Sequence, residues 1–317
     1  MSQPDLFVGI DVAKAELVVH LHPAGTGWRV ANDKAGVALL VHRLEKLAVR
    51  HSLAIGFEAS GGYERRLALA LHHAKILAYL LDPARVRSFA RAERQLAKTD
   101  PLDAAVIARC LKAIQAELVP YTHDAAASQL AEHVRLRDLA VAEAIRFGNQ
   151  LETTDDPALR RLLAAQVRRL KALVLQIEKA MAGLVAASKD LARRERLLRS
   201  APGVGPIVAA CLIARMPELG RLSSRQVAAL AGIAPFDRQS GTSAKPGRCA
   251  GGRPDIRRCL YLAALTITRS GNGHLAETWQ RLRKAGKPHK LALVAVMRKL
   301  LVTLNAMLKS DTPFKAA

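Results

Sequence analysis

Between positions 163 and 191, apolar or small residues recur in alternating steps of four and three: Leu163, Val167, Leu170, Val174, Ile177, Met181, Leu184, Ser188 and Leu191. A helix turns once in about 3.6 residues, so this spacing holds all nine side chains on one stripe. The stripe predicts a long helix that must bury one face. Its partner is an antiparallel neighbour in the same chain, the same helix of another subunit, or the body of its own domain. Residues 126–151 also read as a helix, and TTDDP at 153–157 breaks between the two. There Asp155 or Asp156 suits a cap and Pro157 suits a first helical turn.

The residues before this region read differently. Apolar runs at 6–12, 16–22 and 27–33 predict three strands joined by short turns. A helix follows at 34–50, a strand at 53–60, a helix at 61–74, a strand at 76–83 and a helix at 100–112. The order β-β-β-α-β-α-β-α implies a mixed sheet with helices packed on it. Past residue 196 the chain is again mostly helical and basic, closing with an amphipathic helix near 287–309. The expected organisation is an α/β domain over 1–122, a helical coiled-coil segment over 123–196 and a mostly α-helical domain over 197–317.

The formal net charge is +22. Such a charge repels itself unless a polyanion neutralises it, which makes nucleic acid the first candidate partner and an anionic membrane the second. No run of 18 apolar residues predicts a transmembrane span, and no basic leader opens the chain. Cys110, Cys211, Cys249 and Cys259 form no CxxC, so the expectation is a cytoplasmic chain with reduced thiols and no zinc site.

Against this basic background, carboxylates recur at element ends. Asp11 ends the first strand and Glu58 the fourth. In KTDPLDA, Asp100 and Asp103 share a face at a helix start, where they repel unless a cation lies between them. Capping by Asp100 and a favourable macrodipole position for Asp103 also account for that pair. Asp82, before Pro83, reads as a turn residue, and Glu64 as a weaker substitute for Glu58. Taken together, strand-end Asp, strand-end Glu and helical DxxD in this element order are those of a ribonuclease-H-like nuclease. Such sites collect hard oxygen ligands for one or two Mg²⁺ ions that serve phosphoryl transfer.

Two features mark the second half. APGVGP at 201–206 places Gly203 and Gly205 between helical patterns, where backbone N–H groups can approach a phosphate, or where the chain simply turns. The stretch 233–265 is rich in Gly, Ser and Arg, with Arg238, Lys245, Arg248, Arg253, Arg257 and Arg258 against Asp237 and Asp255. So many glycines among arginines suggest backbone approaching phosphates. Ser240, before Gly241, is a candidate nucleophile in a polar loop. It would need a base or strong electrostatics, and Thr242 and Ser243 compete with it.

GIDVAK, GFEASGGY, KTDPLDA, APGVGPIVAACLIARM, QSG and GGRPDIRRCLY occur in that order, and with them the chain resembles the DEDD transposases of the bacterial insertion sequence 110 family. The resemblance runs from about residue 5 to about residue 285. It implies an RNase H/RuvC-like catalytic domain with an acidic tetrad at Asp11, Glu58, Asp100 and Asp103, and a serine nucleophile at Ser240 that links transiently to DNA. It also implies Mg²⁺, donor and target DNA, a structured guide RNA, a homo-oligomer (dimer or tetramer) with a coiled coil between catalytic domains, and no membrane. The alternative is a RuvC-like Holliday-junction resolvase or structure-selective nuclease, in which water attacks and Ser240 is a loop residue.

Overall fold

The computed structural model describes residues 4–93, 100–240, 243–249 and 251–315; the side chains of 100, 101 and 236–248 fall outside that description. The chain divides into two compact units, residues 1–123 and 124–317.

In the first unit β1 (Leu6–Val12), β2 (Glu16–His22) and β3 (Gly27–Ala31) form an antiparallel meander. β4 (Leu53–Glu58) lies parallel to β1, and β5 (Ala78–Leu81) parallel to β4, which gives the sheet order β3-β2-β1-β4-β5. Parallel pairing needs a crossover, and α1 (Lys34–Ala48) and α2 (Arg65–His73) supply the two. Strand side chains alternate between faces. Leu6, Val8, Ile10 and Val12 of β1, with Leu53, Ile55 and Phe57 of β4, therefore pack on Val37, Leu40, Leu44, Leu67 and Leu71 of α1 and α2. Phe7 and Ala54 face the other way, onto Val86 of α3 (Pro83–Ala92) and Val106, Ile107, Cys110 and Leu111 of α4 (Asp100–Ile114). This is the expected RNase H/RuvC-like α/β architecture. One helix, α3, was not expected. Pro83 reads as a strand stop, yet it occupies the first helical turn while the Asp82 carboxylate accepts from Ala84 N at 2.8 Å.

In the second unit α5 (Ala125–Glu152) and α6 (Pro157–Ala187) form a hairpin closed by an Asp156 cap, with Pro157 in the first turn of α6. The four-three stripe is not one helix. Ser188 ends α6 and caps α7 (Lys189–Arg199), accepting from Leu191 N, so the last step of the pattern crosses a break. Serine caps well because its hydroxyl competes for backbone N–H groups. The stripe is also unevenly covered: Ile177, Met181 and Leu191 are buried, whereas Leu163 to Val174 keep partial solvent contact. The hairpin shares a core with α8 (Pro206–Arg215), α9 (Ser224–Leu230), α10 (Pro254–Ser270), α11 (His274–Lys284) and α12 (His289–Ser310). Among the described residues α12 alone is long and apolar enough to cross a membrane; half of that apolar stretch is buried, with Leu293, Val296, Leu300, Leu301 and Leu304 inside this core. The cysteines are not all isolated, as their spacing suggested: the sulfurs of Cys211 on α8 and Cys259 on α10 are paired.

The polar stretch after residue 234 is not a loop. β6 (Pro235–Ser240) and β7 (Ser243–Cys249) form an antiparallel ribbon in which Arg238 pairs with Lys245 and Ser240 with Ser243.

Candidate functional site

Ile10 of β1 lies level with Phe57 of β4, so Asp11 and Glu58 each fall one residue past the last pair of the ladder. By alternation both carboxylates turn to the face that carries α4, the face opposite Ile10 and Phe57. Asp103 stands one position before Ala104 in the buried first turns of α4. The helix comes close because β1 has no side chain at Gly9. A Cβ there would lie 2.1 Å from Ala104 O and 2.5 Å from Ala108 N. A glycine inside a strand marks such a close backbone approach, and Gly9 is the sequence signal for it.

The negative charges of Asp11 and Asp103 both reach Glu58. The Glu58 carboxyl is raised from its ordinary 4.5 to about 7, by burial first and then by the Asp11, Asp103 and Asp82 charges, with the Arg87 guanidinium opposing them. Arg87, on the unexpected α3, is the nearby cation that sequence patterns did not reveal. Asp11, Glu58 and Asp103 are half-buried rather than immersed in solvent. The Asp100 side chain lies outside the described residues. Among those described, no three His, Cys, Asp or Glu side chains already stand within ligating range of one point. The donor chemistry nonetheless suits a divalent cation: hard carboxylate oxygens, one of them held protonated near neutrality by burial first and by neighbouring negative charge second.

The loops around these acids are fastened by side chains with other duties. Glu64 does not stand in for Glu58. Its Oε2 accepts from Ser60 N at 2.9 Å, Gly62 N at 2.9 Å and the Ser60 hydroxyl at 3.0 Å. Burial pushes the Glu64 carboxyl upward, but those hydrogen bonds outweigh it and hold the group below its usual range. Asn32, buried after β3, donates to Ala13 O at 2.8 Å and Tyr63 O at 3.2 Å, joining the turn after Asp11 to the loop after Glu58.

In the second unit several expected phosphate contacts already have protein partners. Arg253 is bidentate to Glu218 at 2.6 and 2.8 Å and also donates to Arg215 O. Arg258 pairs with Asp138 at 2.9 Å and Asp255 at 3.5 Å. Arg257 donates to Gly251 O and Ala231 O. The glycines here serve chain crossing as well: a Cβ on Gly252 would lie 2.2 Å from Gly232 N. Gly203 is likewise required by packing, since a Cβ would sit 2.5 Å from Ala263 O, whereas the Cα of Gly205 faces open space at the start of α8. Ser240 ends β6 at the ribbon's turn, and its side chain, with those of Arg238, Lys245 and Arg248, lies outside the described residues.

A five-stranded mixed sheet of this order, flanked by helices on both faces, defines an RNase H/RuvC-like unit of the kind found in nucleic-acid-processing proteins. Comparison with known proteins narrows this. Residues 8–156 match the profile of a DEDD transposase family, and residues 195–280 that of the transposase IS116/IS110/IS902 family. The chain belongs to this family of insertion-sequence transposases. It is 24% identical to the pilin gene-inverting protein of Moraxella bovis, and equally so to that of Moraxella lacunata, over 97% of both chains in each case. It is 30% identical over 122 residues to an insertion element IS110 protein of Streptomyces coelicolor, covering 38% of this chain and 30% of that one. Among solved structures, Thermus thermophilus RuvC bound to a Holliday junction overlaps 37% of this chain and 99% of its own, at 15% identity and a TM-score of 0.30. The fold assignment rests on the strand order rather than on that overlap.

Proposed function

We propose that this transposase breaks and rejoins DNA by transesterification, with Asp11, Glu58, Asp100 and Asp103 as the acidic tetrad and the Ser240 hydroxyl as nucleophile. The observation that carries the reading is the convergence of Asp11, Glu58 and Asp103, whose charges help hold the Glu58 carboxyl near neutrality. Their oxygens would hold one or two Mg²⁺ ions. When bound, such ions neutralise charge on the scissile phosphate and on the departing oxygen. Ser240 Oγ attacks phosphorus, its proton leaves to a base, and the bond to the 3′ oxygen breaks. A 5′-phosphoserine and a free 3′ hydroxyl result. One ester replaces another, so the bond energy is conserved and a 3′ hydroxyl can later displace the serine without an external energy source.

A structured RNA from the same element would supply sequence recognition by base pairing, leaving charge and shape to the protein. The net charge of +22 suits that task. The working form would be a dimer or tetramer acting on chromosomal DNA in the cytoplasm, with donor and target DNA as substrates.

The test is covalency. Protein purified with its bound RNA is mixed with element DNA and Mg²⁺, and a protein–DNA adduct is sought under denaturing conditions. The adduct should form with the wild type and vanish in Ser240→Ala, while DNA binding persists. Recombination at the normal rate by Ser240→Ala would remove the serine from the mechanism. Cleavage by the wild type with no adduct at any time would instead favour hydrolysis by a resolvase-like route.

A further inference from the structure

The sequence motifs that suggest phosphate contacts lie between residues 203 and 258. Among the described residues a dense group of cations without carboxylate partners also lies further along the chain. No carboxylate occurs between Glu277 and Asp311, and Arg281, Arg283, Lys284, Lys287 and Lys290 fall within ten consecutive residues. They occupy the last turn of α11, the connection after it and the first turn of α12. All five are exposed, and among the described residues none is paired with a carboxylate. The contrast with Arg137, Arg215, Arg253 and Arg258 of the same unit is plain, because each of those meets an acid within 3.0 Å.

Helix electrostatics account for only part of the cluster. Cations in the last turn of α11 complement its negative end. Lys287 and Lys290 are placed oppositely. They flank the start of α12, a helix of 22 residues whose N-terminus has no side-chain cap. Its first N–H groups carry the positive end of the macrodipole, so cations there repel it and each other. An anion seated at the turn would reverse that sign. It would meet the uncapped N–H groups and the ammonium groups together. The connection itself is firmly built: Arg283 Nη1 donates to Lys287 O at 2.6 Å, Lys287 N donates to Leu282 O at 3.0 Å, and His289 packs edge-on against Trp279.

We infer that the α11–α12 turn is a binding surface for the phosphodiester backbone of a nucleic acid, seated on Lys284, Lys287 and Lys290 at the start of α12. The inference rests on the nucleic-acid reading above only for the identity of the polyanion. It assigns no base contact and therefore no sequence preference.

The test compares full-length protein with a triple variant, Lys284→Gln, Lys287→Gln and Lys290→Gln; Arg283 is retained because it closes the turn. A control triple removes equal charge elsewhere: Lys34→Gln, Lys46→Gln and Lys309→Gln. Affinity for a short DNA duplex and for an RNA duplex of the same length is measured against salt concentration. The turn triple should lower the slope of log affinity against log salt by about two to three. The control triple should leave it unchanged. A loss confined to one duplex identifies whether DNA or RNA occupies the turn. Equal losses in both triples would reduce the effect to net charge and overturn the inference, as would an unchanged slope in the turn triple. If the wild type itself binds neither duplex, the nucleic-acid reading fails first, and the inference with it. Should the turn triple not fold, Lys287→Gln alone reads the same quantity, with an expected shift of about one.

Discussion

Gly9→Ala is the most economical test of how this site is assembled. The added Cβ would stand 2.1 Å from Ala104 O, whereas real Cβ atoms essentially never approach closer than 3.0 Å. The difference, 3.0 − 2.1 = 0.9 Å, is the least by which α4 must withdraw from β1. The obstacle is backbone on both sides, so no side-chain rotation relieves it. Overpacking of this kind costs about 3 kcal/mol, the upper part of the usual range. For a unit of this size that lowers the melting temperature by roughly 10 °C. Asp103 immediately precedes Ala104, so it travels with the helix. A displacement near 1 Å of a catalytic group costs on the order of 10²-fold in rate. The assays are thermal unfolding by circular dichroism and the rate of adduct formation on element DNA with Mg²⁺. Gly148→Ala on α5 is the control: a Cβ there meets nothing within 4 Å, and the substitution should stabilise by about 0.5–1 kcal/mol. A Gly9→Ala protein that melts and reacts like the wild type would refute the claim that β1 and α4 place Asp103 beside Asp11.

Glu58→Gln should stabilise the metal-free protein at alkaline pH. The native carboxyl titrates near 7 against an ordinary 4.5, so the native state holds the proton more tightly; that stability is complete below about 4.5 and lost as pH rises through about 7. The span, 7 − 4.5 = 2.5, at about 1.4 kcal/mol per pH unit, bounds the effect near 3 kcal/mol, and solvent screening of a half-buried group reduces it to about 1–2. Melting curves in EDTA should show the two proteins converging near pH 4.5 and separating above pH 7; a gap independent of pH would contradict this. Arg253→Ala leaves Glu218 and Arg215 O without their donor, so it should lose about 1–3 kcal/mol in denaturant titration, more than an exposed phosphate-binding arginine would. Asn305→Leu removes the acceptor of Gly220 N and the donor to Leu222 O inside the core, and should lower stability by about 2–4 kcal/mol in the same measurement.

The tests aimed at β1 and α4 depend on features of unequal legibility in sequence. A lone strand-end aspartate reads equally as a turn residue, a cap or a ligand; it is the recurrence of acids at element ends, Asp11, Glu58, Asp100 and Asp103, that is legible. The function of Gly9 is silent until the helix that passes over it is seen. Glu64 and Glu58 look interchangeable on paper, six residues apart in one motif. Only the hydrogen bonds from Ser60 and Gly62 show that Glu64 is a loop fastener. The arginines of 253–258 make a related point. A guanidinium carries the same charge whether it faces a phosphate or an internal carboxylate, and its partners Glu218 and Asp138 are distant in the chain.

Sequence alone determined most element types, with α3 and the β6–β7 ribbon as the exceptions. It also determined the sheet-forming character of the first unit, the mostly helical character of the second and the positions of the acids. These follow from periodicity, caps and turn chemistry, which act over a few residues. Tertiary structure decided which acids share a face, which arginines are neutralised, where Ser188 interrupts the stripe and that the serine sits on a ribbon. Each of these depends on what a distant segment brings within a few ångströms, and electrostatic and steric forces at that range leave no mark on local spacing.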